Sequence, residues 1–317
     1  MGGAELALQR IAQRLPAHGF DVSVVTPREL PLGGIQRGGW PRAVASWPRA
    51  RRLAARSDVV LLNGIVTQRL APAMTAATLV PYIHELSDSA PRAWRSARFW
   101  RSAPLVLCAC AAVAQRCRAF GAPGDRLRVV YAPVEEVARA PRPAWAGHGP
   151  VVGFVGRIEL HKGTLDLVRA MRAVDARLVV IGEGAGAYAE QVRAEGDGVI
   201  FAGAVEDAGP LMAWFDLLAV PSRSEAFGTV AAEALAAGTP VVATRSGGVE
   251  EYVVPGRNGD LVMPGDVDAL AEAIRRLLPR AASMAEAARE DARRFDADVV
   301  AADVADAIGK ALARRGR

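Results

Sequence analysis

The segment Ser222-Arg223-Ser224-Glu225-Ala226-Phe227-Gly228-Thr229-Val230-Ala231-Ala232-Glu233 sets two carboxylates on either side of a glycine and a run of helix formers. A helix opening at Gly228 would leave the amides of Gly228, Thr229 and Val230 without intrahelical acceptors. Those donors, with the positive end of the helix dipole, attract a phosphate. Glu233 would then lie about 6 Å further along the axis, at about 1.5 Å per residue, which suits a carboxylate chelating ribose hydroxyls. Glu225, in the loop before the helix, would face whatever the phosphate carries. The same spacing also fits Glu225 as a helix cap and Glu233 on a solvated face.

A second segment, Gly156-Arg157-Ile158-Glu159-Leu160-His161-Lys162-Gly163, puts two cations into a loop directly after an apolar run. Arginine grips phosphate oxygens in bidentate fashion and lysine acts as a point charge, so the two together neutralise a diphosphate. Lys162 is one of only two lysines in a chain that otherwise uses arginine, the other being Lys310. A surface ion pair is the competing reading of each cation.

Other patterns invite chemistry and carry less of it. Gly182-Glu183-Gly184-Ala185-Gly186-Ala187 has the form of a dinucleotide fingerprint, but it follows an internal strand rather than the first of its domain. Asp266-Val267-Asp268 and Asp296-Ala297-Asp298 have the D-x-D form of metal-dependent transferases, yet both fall at predicted helices, where caps and solvated faces explain them. Cys108, Cys110 and Cys117 are an odd, clustered set without histidines at zinc-ligand spacing, which reads as reduced thiols and no metal site. Residues 91–101 interleave arginines with Trp94, Phe99 and Trp100, suiting either an anionic membrane interface or a helix with its aromatics in the core.

These loops need strands to hold them. After residue 150, apolar runs at 151–155, 178–181, 199–201, 217–220 and 241–243 read as buried parallel strands, separated by helices at 164–173, 187–194, 208–214, 229–237 and 267–278. The first half repeats the theme more weakly: a helix at 5–15, strands at 22–25, 59–62, 80–83 and 106–110, and a loop-like stretch over 27–48. Residues 133–150, with Pro141, Pro143, Gly147 and Gly149, have a linker's composition. The expected fold class is α/β, with two doubly wound domains facing each other across a cleft. The boundaries are 1–145 for the first domain and 146–290 for the second, with residues 291–317 a terminal helix returning to the first.

Composition agrees with that class. The chain has 317 residues, 51% of them apolar, and no apolar run approaches the roughly 18 residues of a membrane span. No secretory pattern opens it, so the expected location is cytoplasmic. Residues 1–148 carry 20 arginines against 9 carboxylates, a balance of +11, while the remainder stands at −6. A basic first half suggests an anionic partner, such as an acceptor or the inner membrane face, and no nucleic-acid module accompanies it.

Residues 215–222, the pair Glu225 and Glu233, the run 236–243 and Gly247-Gly248-Val249-Glu250-Glu251 through Asp266 resemble the retaining GT-B glycosyltransferases of family 4. Gly156-Arg157 and Lys162-Gly163 are similar to that family's donor-phosphate motif, while before residue 150 the likeness thins to residues 2–5, His84-Glu85 and residues 129–135. The resemblance implies a nucleotide-diphosphate sugar as donor substrate, no cofactor and no metal. It implies an acceptor that is a glycan, a lipid-linked group or a small molecule. It assigns the diphosphate to Arg157 and Lys162, the ribose to Glu233, and the transferred sugar's hydroxyls to Glu225. His84 falls near the sugar, with Gly3, Val205, Phe227, Gly228, Thr229 and Val230 as further donor contacts. The alternative is a catalytically silent subunit on the same fold. The family's first strand precedes the glycine pair matched by Gly2-Gly3, so the native product is expected to extend upstream by roughly 10 to 20 residues.

Overall fold

The computed structural model describes residues 3–25, 40–64, 66–86, 100, 103–135, 140, 141, 143 and 147–315. The chain divides into two compact units, one of residues 1–133 with 297–317 and the other of Val134–Asp296.

In the second unit, six parallel strands form one sheet: β5 (Val151–Val155), β6 (Arg177–Ile181), β7 (Ile200–Gly203), β8 (Leu217–Val220), β9 (Val241–Thr244) and β10 (Gly259–Val262), in the order β10-β9-β8-β5-β6-β7. Helices α4 (Thr164–Met171), α5 (Ala187–Glu195), α6 (Gly209–Met212), α7 (Thr229–Ala237) and α8 (Val267–Leu277) make the crossovers that parallel neighbours require. The sheet is apolar on both faces because helices cover both. Val152, Phe154 and Val180 meet Leu167, Val168, Leu270 and Ile274 in a core from which water is excluded. Each such side chain contributes about 1.5–3 kcal/mol by leaving water. Strand β10 was not read as a strand from the sequence, because its Gly259 and Asp260 break the apolar run. Asp260 is kept at the sheet by pairing with Arg276 of α8.

In the first unit, β1 (Val59–Asn63), β2 (Thr78–Ile83), β3 (Val106–Cys108) and β4 (Leu127–Val129) lie side by side in chain order, all parallel. Helix α1 (Gly3–Arg14) precedes them and α3 (Ala111–Ala119) connects β3 to β4. Cys110 caps α3, its Sγ accepting from the Val113 amide. The last helix, α10 (Ala297–Arg315), belongs to this unit: Arg14 of α1 bonds Asp298 at 2.8 Å, and Arg128 of β4 pairs with Asp303 at 3.3 Å.

Two expectations fail here. Residues 22–25 form no strand, and Val24 and Val25 are exposed. An apolar run becomes a strand only where a neighbour offers its ladder, and among the described residues none pairs with this one. Part of the stretch expected as loop is helical, since α2 spans Trp40–Ala54. Pro41 falls in its first turn, where a missing N–H costs nothing, and Pro48 is carried inside it, so the two prolines hid a helix. Residues 26–39 lie outside the described residues, as do residues 91–101 apart from Trp100. That ring is buried, its Nε1 donating to Phe120 O at 2.9 Å.

Candidate functional site

The strand order of the second unit reverses at β5, whose two neighbours are β6 and β8. In open parallel sheets ligands settle at such a reversal, outside the carboxyl ends of the strands. The loops leaving β5 and β8 there are residues 156–163 and 221–228, the two segments richest in chemistry. Backbone locks them together. The Arg223 amide donates to His161 O at 2.7 Å, and Gly163 sits at φ +68° where a Cβ would fall 2.0 Å from Pro221 O. Only glycine permits both that conformation and that approach.

Lys162 Nζ donates to Glu225 Oε2 at 2.7 Å, and Ser222 Oγ to the same oxygen at 3.1 Å. Lys162 and Glu225 side chains are 25% and 16% exposed, so the pair sits half out of water, where a charge-assisted bond is stronger than on an open surface. Glu225 Oε1 has no partner among the described residues. The carboxylate is thus fixed by one oxygen and available by the other. Arg157, by contrast, is 72% exposed and pairs with its neighbour Glu159, which His161 also approaches at 3.3 Å. The ion-pair reading therefore describes Arg157 as it stands, while Lys162 is held inside the crevice.

Helix α7 opens at Gly228, a left-handed N-cap with no side-chain bond to the first amides. Glu225 does not cap it. Thr229 and Val230 are half-buried at its first turn and Glu233 is half-buried about one turn on. The Phe227 ring is buried against Tyr252 and Phe295, at 5.3 Å from each, so what Phe227 presents to the loop's outer side is backbone. Val205 is 39% exposed just beyond β7.

The fingerprint-like glycines have a structural task. A Cβ on Gly182 would meet Gly156 O at 2.0 Å, and one on Gly184 would meet Ile158 O at 2.3 Å. The Ile158 amide donates to Glu183 O at 2.9 Å. This turn therefore braces the Arg157 loop from below, and its tight approach is to protein backbone. Asp266 caps α8 through the Ala269 amide at 2.9 Å. Among the described residues no group of three or more His, Cys, Asp or Glu could hold a metal ion.

In the first unit His84 follows β2 at its carboxyl end. Its Nε2 lies 2.7 Å from Asn63 Oδ1, at the end of β1, and Asn63 Nδ2 donates to Ala4 O of α1 at 2.9 Å. Because the Asn63 amide nitrogen is spent on Ala4, its oxygen must accept, so His84 carries its proton on Nε2 and offers Nδ1 as an acceptor. Burial pushes the His84 pKa down to about 4, leaving the ring neutral at physiological pH. The Tyr82 ring lies 4.0 Å from it. Gly3 is exposed in the first turn of α1. Asn63, Ser222 and Tyr252 were not singled out from the sequence. Asn63 had one available signal: it ends a strand adjacent to the one that delivers His84.

The profile of glycosyl transferases group 1 matches residues 149–280, and that of Glycosyltransferase Family 4 matches residues 1–136. A D-inositol 3-phosphate glycosyltransferase of Xylanimonas cellulosilytica is 39% identical over 183 residues, 52% of this chain and 43% of that one. A phosphatidyl-myo-inositol mannosyltransferase of Mycobacterium leprae is 35% identical over 188 residues, 54% of this chain and 50% of that one. The aligned part thus spans about half the length of these relatives. Anabaena HepE, solved in complex with UDP, has a TM-score of 0.79 at 25% identity, covering 98% of this chain and 96% of its own. A sucrose-phosphate synthase of Thermosynechococcus elongatus reaches 0.81 at 21% identity, covering 99% and 94%. With both halves matched and the two parallel-sheet domains reproduced, the chain belongs to the group 1, family 4 glycosyltransferases and has their GT-B fold.

Proposed function

We propose that the chain is a retaining glycosyltransferase that moves a sugar from a nucleotide-diphosphate sugar to an acceptor without a metal ion. The observation that carries this is the Lys162–Glu225–Ser222 contact beside the uncapped start of α7. Glycosyl transfer passes through an oxocarbenium-like state while a diphosphate leaves, so the cost lies in the charge on the leaving group. Lys162, Arg157 and the first amides of α7 supply positive potential for it. Glu225 Oε1 accepts from a hydroxyl of the transferred sugar, Glu233 takes the ribose, and Val205 borders the nucleoside. His84, neutral and accepting through Nδ1, receives a sugar hydroxyl from the first unit and does not act as an acid. HepE's complex with UDP supports a nucleotide donor. The inositol-phosphate and phosphatidylinositol names of the relatives point to a phosphorylated polyol as the acceptor class to try first.

Hydrolysis and transfer assays across UDP-, GDP-, ADP- and dTDP-sugars, with and without EDTA, test the reading. Turnover of one donor, unchanged by EDTA and giving product of the donor's own anomeric configuration, is the expected result. No turnover of any donor would favour a silent binding subunit, and loss with EDTA restored by a divalent ion would return the metal.

Among the described residues no helix is long and apolar enough to cross a membrane. The +11 of residues 1–148 includes Arg49, Arg51 and Arg52, exposed on α2, and Arg56 just after it. We place the protein in the cytoplasm with this face against anionic lipid. Binding to acidic vesicles at low salt should fade as the Debye length shortens to about 8 Å. Equal binding to neutral vesicles would defeat the assignment.

A further inference from the structure

We propose that Tyr252 is a positioning residue for the donor diphosphate, aiming the amides of Gly228 and Thr229 from behind; the proposal rests on the donor site described above. Tyr252 ends the short turn Gly248–Glu251 and is fully buried. Its Oη lies 2.8 Å from Phe227 O and 2.8 Å from Gly228 O, two successive carbonyls sharing one phenolic donor. A trans peptide points its N–H opposite to its C=O. The peptide whose carbonyl belongs to Phe227 carries the Gly228 amide, and the next carries the Thr229 amide. Drawing both carbonyls toward Tyr252 therefore turns both N–H groups the other way, outward at the start of α7. Neither amide has an acceptor among the described residues.

The ring that holds the hydroxyl is itself held. Phe295 meets it edge-on at 5.0 Å, Phe227 lies at 5.3 Å, and the Arg294 guanidinium sits over it at 6.0 Å. Gly228 closes the arrangement: at φ +82° a Cβ would stand 2.5 Å from Val249 Cγ1 and 2.9 Å from the Tyr252 hydroxyl. Hydroxyl, glycine and helix start are thus one fitted unit. Gly228 O also accepts from the Ala231 and Ala232 amides at 2.9 and 3.2 Å, so removing only the hydroxyl loosens chiefly the Phe227–Gly228 peptide plane, whose amide an anion needs fixed, and leaves the next plane to the helix.

The test uses the full chain and titration calorimetry with UDP, GDP, ADP and dTDP and with the matching nucleosides. For whichever diphosphate the wild type binds, Tyr252→Phe should weaken affinity about tenfold and leave the nucleoside's affinity unchanged, because the lost bond orients phosphate donors alone. Equal diphosphate affinity in the two proteins, or an equal loss for nucleoside and diphosphate, would overturn the proposal while leaving the donor site in place. A wild type that binds none of the four would overturn the donor site and this proposal with it. Should Tyr252→Phe not fold, the wild type's own Gly228 and Thr229 amide resonances decide: both should move on adding the diphosphate, and stationary resonances would overturn the assignment.

Discussion

The carboxyl ends of the two parallel sheets solve different problems. In the second unit, charged side chains from the β5 and β8 loops close on one another, Lys162 on Glu225, while backbone bonds such as Arg223 N to His161 O hold the loops in register. In the first, the ends of β1 and β2 present a neutral chain, Ala4 O to Asn63 to His84. A site that must stabilise a leaving diphosphate needs fixed charge, whereas one that only orients hydroxyls needs a fixed tautomer. Under the proposed function, the rate depends on the fixed charge of the second unit and the orientation of hydroxyls on the first.

The largest effect should follow Lys162→Ala. It removes a half-buried cation and leaves Glu225 without its counter-ion, and turnover in donor hydrolysis should fall on the order of 100-fold. Arg157, exposed and already paired with Glu159, should cost about tenfold when changed to alanine. If the two variants lost activity equally, the ranking by burial would be wrong. Near-normal turnover in Lys162→Ala would remove the proposed diphosphate site.

Next in size are the carboxylates. Glu225→Gln keeps the shape but removes the negative charge opposite Lys162, and it should lower kcat about tenfold. Glu233→Gln should raise KM for the donor with kcat nearly unchanged, because a ribose is held alike before and during reaction. A Glu233 variant impaired in kcat alone would move that residue out of the ribose site.

What could be read in advance follows the same division. The second unit was legible because its strands are buried on both faces, and so read as plain apolar runs, and because its charges stand in short loops directly after them. The first unit was less so. Residues 22–25 have strand composition but no ladder neighbour among the described residues, and α2 was masked by Pro41 and Pro48. Within the site, Lys162 and Glu225 could be named from residue type and spacing. Their contact could not, since it depends on β5 and β8 being neighbours in a sheet where five other elements, α4, β6, α5, β7 and α6, separate them in sequence. Asn63 and Tyr252 were missed for a related reason. Each acts through a hydrogen bond to distant backbone, and backbone partners leave no trace in side-chain pattern.

A smaller effect tests the neutral chain of the first unit. His84 has its pKa at about 4 in the folded protein against an ordinary 6.5. Between those values the unfolded chain binds a proton that the folded one refuses, so stability rises with pH there and is lost as pH falls through 6.5 toward 4. The loss between pH 7 and pH 5 should be about 2 kcal/mol, and His84→Gln should flatten it. Asn63→Asp sets a carboxylate against Nε2, which favours the imidazolium, and should raise the His84 pKa as followed by NMR titration. An unchanged His84 titration in Asn63→Asp would show that burial alone sets it.

The smallest effect separates two tyrosines that look alike. Tyr82 in β2 is fully buried, and its hydroxyl lies 3.0 Å from Val130 O and 3.3 Å from Tyr131 O, again two successive carbonyls of a segment leaving a sheet. Burial, with the Cys108 thiol beside it, pushes this phenol well above its usual range, so it stays a donor across working pH. Here the segment beyond the carbonyls leads to Pro133, where the chain passes to the other unit, and among the described residues no helix starts directly behind it. The same hydrogen bond therefore secures a chain crossing rather than aiming amides at an anion. Tyr82→Phe should lower stability by about 1 kcal/mol, read as a shift in denaturant midpoint, and leave diphosphate affinity unaltered. Tyr252→Phe should do the reverse in emphasis. If Tyr82→Phe weakened diphosphate binding as much as Tyr252→Phe, the effect would belong to general loosening of the fold, and the distinction between an anchoring hydroxyl and an aiming one would not hold.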